Sequence, residues 1–143
     1  MVVLIVEDEA IIAYCSAATL QDAGCTVLGP AHTAAEALEL ARKRRPDVAL
    51  IDIDLEIPGA GIGLAQQLRT HYGTAVVFAT GRLDVARDHS DIAVGVLTKP
   101  YDPSQLPAIV ATAAGSKRRP SGQRTPPSRN ATFTGFSLLT SSR

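Results

Sequence analysis

Five short apolar runs mark the first hundred positions, and a stretch of different rhythm follows each. They are Val2–Val6, Cys25–Leu28, Val48–Ile51, Ala75–Ala79 and Val94–Leu97. The runs other than Cys25–Leu28, without polar alternation, suit strands buried on both faces, as in a parallel sheet; Cys25–Leu28 reads as a short strand. Ala10–Ala23 is rich in alanine and leucine, with Ile11, Ile12, Cys15, Ala18 and Thr19 at helical spacing as its apolar face, and Gly24 stops it. Thr33-Ala34-Ala35-Glu36 is a capping box that opens a helix to about Arg45, which Pro46 ends. A short helix spans Gly63–His71, and a weak polar one spans Leu83–His89. Asp102-Pro103 reads as an N-cap with proline at the first position of a helix to about Ala114. Five strands alternating with helices predict a doubly wound, five-stranded parallel α/β sheet with right-handed crossovers.

The pattern stops there. From Gly115 onward Ser, Pro, Arg, Thr and Gly dominate without a period, and Phe133, Phe136, Leu138 and Leu139 are the only bulky apolar residues. We therefore expect one domain over residues 1–114 and a disordered tail over 115–143. The formal net charge of zero conceals an asymmetry between the two. The tail has Lys117, Arg118, Arg119, Arg124, Arg129, Arg143 and no acid, a net of +6; the first 114 residues hold 8 bases against 14 acids, a net of −6.

Cys15 and Cys25 show no CxxC or framework spacing and read as reduced core thiols. No run reaches membrane-spanning length, and the opening MVVLIVEDE has neither the basic lead nor the length of a secretory signal. A cytoplasmic protein is the expectation.

The chemistry gathers where the runs end. Val2–Val6 gives way to Glu7, Asp8 and Glu9; Val48–Ile51 to Asp52, Asp54 and Glu56; Ala75–Ala79 to Thr80; Val94–Leu97 to Thr98 and Lys99. In a parallel sheet these ends share the carboxyl edge, where open α/β sheets place their sites. Three carboxylates brought together need a raised pKa or a bound cation to offset their repulsion. Hard oxygen ligands at a shallow site suit Mg²⁺. With Lys99 and Thr80 opposite, the set would cradle a phosphoryl group. An aspartate in such a cradle can itself be the nucleophile.

The pieces VLIVEDE at 3–9, PDVALID at 46–52, FATG at 78–81 and LTKPYD at 97–102 together resemble the receiver domain of bacterial two-component response regulators, the CheY-like superfamily. The resemblance covers residues 1–114. It implies a flavodoxin-like (βα)5 fold that accepts a phosphoryl group from a histidine kinase or histidine phosphotransfer protein. By that resemblance Asp52 is the phosphoacceptor, Asp8 a direct Mg²⁺ ligand, Glu7 its acidic neighbour, and Asp54 a ligand through its backbone carbonyl. Thr80 is the switch hydroxyl and Lys99 the phosphate-pairing lysine, with Lys99-Pro100 in cis. The loop from Asp52 to Gly61 is about one residue longer than in the commonest receivers, and the segment from Thr80 to Lys99 is a few residues short. Val96 stands where many receivers carry an aromatic switch residue. No effector domain is recognisable after residue 114, so output would come from a separate partner protein; a homodimer is compatible with the sequence.

Plainer readings stand beside these. Glu56 reads as solvated loop. Gly59, Gly61 and Gly63 match no phosphate-loop pattern and read as turn glycines. His32, His71 and His89 have no ligand spacing. The cluster Arg42–Arg45 offsets a helix dipole. Asp52 and Asp54 also resemble the DxD start of haloacid-dehalogenase-type phosphatases, a rival that leaves Glu7 and Asp8 without a task. A receiver fold acting without phosphorylation is a second rival, and nucleic-acid binding through the basic tail a third.

Overall fold

The structure is a computed structural model that describes residues 1–117 and 135–139. Its elements run β1 (Val2–Val6), α1 (Ala10–Asp22), β2 (Thr26–Ala31), α2 (Ala34–Lys43), β3 (Val48–Asp52), α3 (Ala60–Tyr72), β4 (Ala75–Thr80), α4 (Leu83–Arg87), β5 (Gly95–Thr98), a 3₁₀ turn (Pro103–Gln105), α5 (Leu106–Lys117) and β6 (Phe136–Leu138). The sheet order is β2-β1-β3-β4-β5-β6. β1 to β5 pair in parallel, and β6 joins β5 antiparallel.

Strand residues alternate between two cores. Val3, Ile5, Val48, Leu50, Val77 and Leu97 face one way and pack with Ala17 and Leu20 of α1 and Ile109 and Ala113 of α5. Leu4, Val6, Ala49, Ile51, Val76 and Phe78 face the other way and pack with Ala37 of α2, Leu64 and Leu68 of α3 and Ala86 of α4. Both sheet faces are covered, which explains why the strands read as unbroken apolar runs. The chain leaves β1 in one direction and returns to β3 on its other side, so the order reverses between them. That switch point opens a crevice at the carboxyl ends of β1 and β3.

Local chemistry sets the helix starts. Thr33 caps α2 by accepting the Glu36 amide at 3.1 Å, and the Glu36 carboxylate returns to the His32 amide at 3.3 Å. Asp102 caps the final turn by accepting the Ser104 amide at 2.9 Å, with Pro103 next. α4 is a bare five residues, which accords with the short segment between Thr80 and Lys99.

Three expectations are corrected. First, α1 buries Ala13, Ser16, Ala17 and Leu20, while Ile11 and Tyr14 are 81% and 75% exposed. A helix apolar on nearly all sides gives no clear stripe, and Ser16 is buried because its hydroxyl meets the Tyr101 hydroxyl at 2.9 Å. Second, Cys15 is exposed on that misread face and Cys25 only half-buried, so they are not core thiols. Third, the boundary at 114 is too early and the tail is not wholly without structure: α5 continues to Lys117, and Phe136–Leu138 is a strand. The remaining residues of the expected tail, including Arg118, Arg119, Arg124, Arg129, Phe133 and Arg143, lie outside the described residues.

Candidate functional site

β1 and β3 are adjacent and in register, with Val6 beside Ile51. Glu7 and Asp8, just past β1, therefore come up beside Asp52, the last residue of β3. One carboxylate oxygen from each of the three lies within 4.8 Å of the others. Glu7 and Asp52 are buried and Asp8 is exposed, so the cluster sits at the floor of the crevice with one carboxylate on its rim.

Lys99 enters from the end of β5. Its Nζ donates to Glu7 Oε1 and Oε2 at 3.0 and 2.8 Å and to Asp52 Oδ2 at 3.1 Å. The other Asp52 oxygen, Oδ1, accepts the Asp54 amide at 2.9 Å. Both oxygens of Asp52 are thus oriented by donors, one charged and one from the backbone. Lys99-Pro100 is cis, as is Gly29-Pro30.

One ammonium facing three carboxylates leaves the cluster short of positive charge. Burial is the largest influence on Glu7; together with the Asp52 charge it lifts the pKa above the ordinary glutamate value, despite the Lys99 bonds. Burial also works against the Lys99 ammonium, but its bonds to Glu7 and Asp52 outweigh that and raise its pKa. A divalent cation among hard oxygen donors fits this deficit.

A pH dependence follows. A carboxyl with a raised folded pKa stabilises the fold below its unfolded pKa, and the contribution fades as pH rises through the folded value. In EDTA, the denaturant midpoint of the parent relative to Glu7→Gln should therefore fall from the ordinary glutamate range upward. A difference that rises or stays flat across that window would contradict the charge deficit.

Thr80 is buried at the end of β4, but its hydroxyl does not reach Lys99. It accepts the Arg82 amide at 2.9 Å, while its carbonyl takes the Lys99 amide at 2.9 Å. The Asp54 side chain turns away from the cluster, accepting the Gly59 amide at 3.1 Å and pairing with the Arg82 guanidinium. A residue so engaged is poorly placed as the acid–base partner that a phosphatase would need two positions after its nucleophile. Val96, in the position of β5 expected for an aromatic, is fully buried. Glu56 is exposed, as expected of solvated loop.

Residues missed from sequence complete the picture. Arg82, two residues beyond β4, pairs with Asp54, two residues beyond β3; its place beyond a strand end was the available signal. His32 follows β2 and holds the Glu7 carbonyl through Nδ1 at 3.0 Å; its lack of ligand spacing in the sequence gave no hint of this contact. Gly61 is not a turn glycine. It lies in the first turn of α3, and a Cβ there would sit 2.2 Å from the Asp52 carbonyl oxygen.

The family model described as "Response regulator receiver domain" matches residues 3–111. The chain is 29% identical over 114 residues to the phyllosphere-induced regulator PhyR of Methylorubrum extorquens, covering 78% of this chain and 42% of that protein. It is 34% identical over 111 residues to the transcriptional regulatory protein PdtaR of Mycobacterium tuberculosis, covering 75% and 54%. The chain thus spans about half the length of these curated relatives. Among solved structures, the chemotaxis response regulator CheY4 of Vibrio cholerae superposes with a TM-score of 0.69 at 29% identity, over 78% of this chain and 97% of that one. The response regulator PhyR from Brucella abortus gives 0.71 at 27%, over 81% and 48%. With the acid cluster at the β1–β3 switch point and the lysine closing it from β5, the chain belongs to the response regulator receiver domain family.

Proposed function

We propose that this receiver takes a phosphoryl group on Asp52, that Glu7, Asp8 and Asp52 hold Mg²⁺ with the Asp54 backbone carbonyl, and that phosphorylation changes which protein the chain binds. The observation that carries this reading is the position of Asp52. It is buried at a strand end, and its two oxygens are fixed by Lys99 and the Asp54 amide.

In the transfer, an Asp52 carboxylate oxygen attacks phosphorus and forms a new O–P bond. The bond from phosphorus to the donor's leaving atom breaks, and its electron pair departs with that group. The donor is a histidine kinase or a histidine phosphotransfer protein in the cell and an acyl phosphate in vitro. When bound, Mg²⁺ supplies positive charge to the phosphoryl oxygens. Lys99 moves its hydrogen bonds from Asp52 toward the new phosphoryl oxygens, and Thr80 can offer its hydroxyl by giving up the Arg82 amide. The two rearrangements bias a two-state equilibrium in α4, β5 and α5, the surface that meets the output protein. The chain performs no turnover on other substrates in this reading, and its setting is the cytoplasm. Among the described residues, no helix is long and apolar enough to cross a membrane.

The test is to incubate the chain with Mg²⁺ and acetyl phosphate and record the intact mass. One phosphoryl group per chain, lost when EDTA replaces Mg²⁺, is expected. No adduct while a control receiver labels in parallel would transfer the reading to a phosphorylation-independent module.

A further inference from the structure

β6 lies outside the strand–helix alternation. It comes from the basic C-terminal segment and lies antiparallel on the outer edge of β5. Leu97 faces Phe136, Val96 faces Ser137, and Gly95 faces Leu138. The pairing continues past both ends: the Thr98 amide donates to the Gly135 carbonyl at 2.8 Å, and the Leu139 amide to the Val94 carbonyl at 2.9 Å. By antiparallel alternation, Val96 and Ser137 form the hydrogen-bonded pair between these two.

The side chains grip both faces of the sheet. Phe136 packs with the α1–α5 core and Leu139 with the α2–α3–α4 core. Gly95 makes room for the ring, since a Cβ there would come within 2.6 and 2.8 Å of two Phe136 ring carbons. An edge strand with a glycine notch, filled by an aromatic two positions before an aliphatic, has the form of a strand-addition site: backbone bonds give affinity and a side-chain pocket gives selectivity.

This edge touches the phosphorylation machinery. Thr98, which holds Gly135, is the residue before Lys99, and the Lys99 amide is held by the Thr80 carbonyl. Lys99 is thus next in sequence to the residue that makes the first hydrogen bond of β6, and Thr80 is one backbone hydrogen bond further away.

We propose that the β5 edge is a strand-docking interface, occupied at rest by residues 135–139 of this chain. Its external partner is a protein segment in extended form with an aromatic at the Phe136 position and aliphatics at those of Leu138 and Leu139. That β6 leaves when Asp52 is phosphorylated rests on the receiver reading above; that the edge takes a strand does not.

The test uses the full chain and a fluorescein-labelled synthetic peptide of residues 132–141, followed by anisotropy. Ser137→Pro removes the central backbone donor of β6 and adds a ring to the strand, so it frees the edge. Phe136→Ala empties the notch without altering the backbone and serves as the second variant. Both variants should bind the peptide at least tenfold more tightly than the unphosphorylated parent. The parent should gain affinity in the same direction once Mg²⁺ and acetyl phosphate have given it the phosphoryl mass. Absence of binding to either variant would overturn the docking site. Equal binding by parent and variants would overturn residence of β6. A phosphorylated parent that still excludes the peptide would overturn the trigger alone. Variants that bind, with no phosphoryl mass on the parent, would sink the receiver reading and leave the docking site standing.

Discussion

Asp52→Ala should carry no phosphoryl adduct under conditions that place one on every parent chain, and its metal-free fold should be no less stable than the parent's. The first part follows from the nucleophile: of the two buried carboxylates in the cluster, Glu7 gives both oxygens to Lys99, whereas Asp52 has only one oxygen on Lys99 and the other on the Asp54 amide. Asp54 is turned outward to Gly59 and Arg82, and Asp8 is on the rim. The second part follows from charge. Removing Asp52 takes one of three clustered carboxylates away, and Lys99 keeps both of its bonds to Glu7. Metal linkage should change with it. A cation present at 100 times its dissociation constant stabilises a fold by about 2.7 kcal/mol. The parent should show a Mg²⁺-dependent gain in stability of that order, read as a rise in Tm, and the variant, one proposed ligand poorer, much less. Intact mass and thermal melts with and without EDTA read both effects. An adduct that survives in the variant would mean another carboxylate is the acceptor, with Asp54 the next to replace. A variant that melts well below the parent in EDTA would mean Asp52 is held there as a structural ion-pair partner.

The part of this site that could be read from the sequence is the part that depends on strand ends. Glu7, Asp8, Asp52 and Lys99 each follow an apolar run, and a parallel sheet turns that one-dimensional fact into convergence at one edge. The capping box at Thr33 and the short fourth helix were legible for a similar reason, because both depend on residues close in sequence. What escaped depends on contacts between distant segments. The buried face of α1 is set by Ser16 meeting Tyr101, eighty-five positions away, and a helix apolar on all sides does not announce its inner face. β6 is three residues in a polar segment, and its apolar side chains acquire meaning only beside the Gly95 notch. Thr80 shows a subtler limit: its position was foreseen, but its hydroxyl is committed to the Arg82 amide. The sequence places groups at an edge; which of them touch in the resting state is decided by the loops between.

Gly61 is where this limit has the largest energetic consequence. By sequence alone it reads as a turn glycine, like Gly59 and Gly63. In the fold they differ. Gly59 has a φ of +82° and open space around it, and Gly63 is exposed on α3 with nothing within 4 Å of a built Cβ. Gly61 is buried, and its Cβ would meet the Asp52 carbonyl oxygen at 2.2 Å and the Ile53 Cα at 2.8 Å. Those atoms are backbone, so no rotamer relieves the contact; α3 or the end of β3 must move. Gly61→Ala should therefore cost on the order of 3 kcal/mol, the upper range for overpacking a tight site. The displaced backbone is that of Asp52 itself, and a misplacement of about 1 Å at a reacting group costs roughly 10²-fold in rate. Labelling by acetyl phosphate should slow by that order in the fraction that remains folded. Gly63→Ala, two positions on, supplies the contrast. It adds a methyl group to an exposed helical position and should stabilise the chain by about 1 kcal/mol through helix propensity alone, with labelling unchanged. Denaturant titration and labelling rates on the pair decide the matter. If the two substitutions act alike, the glycines serve the helix; opposite signs place the close approach of α3 to Asp52 among the determinants of the phosphorylation site.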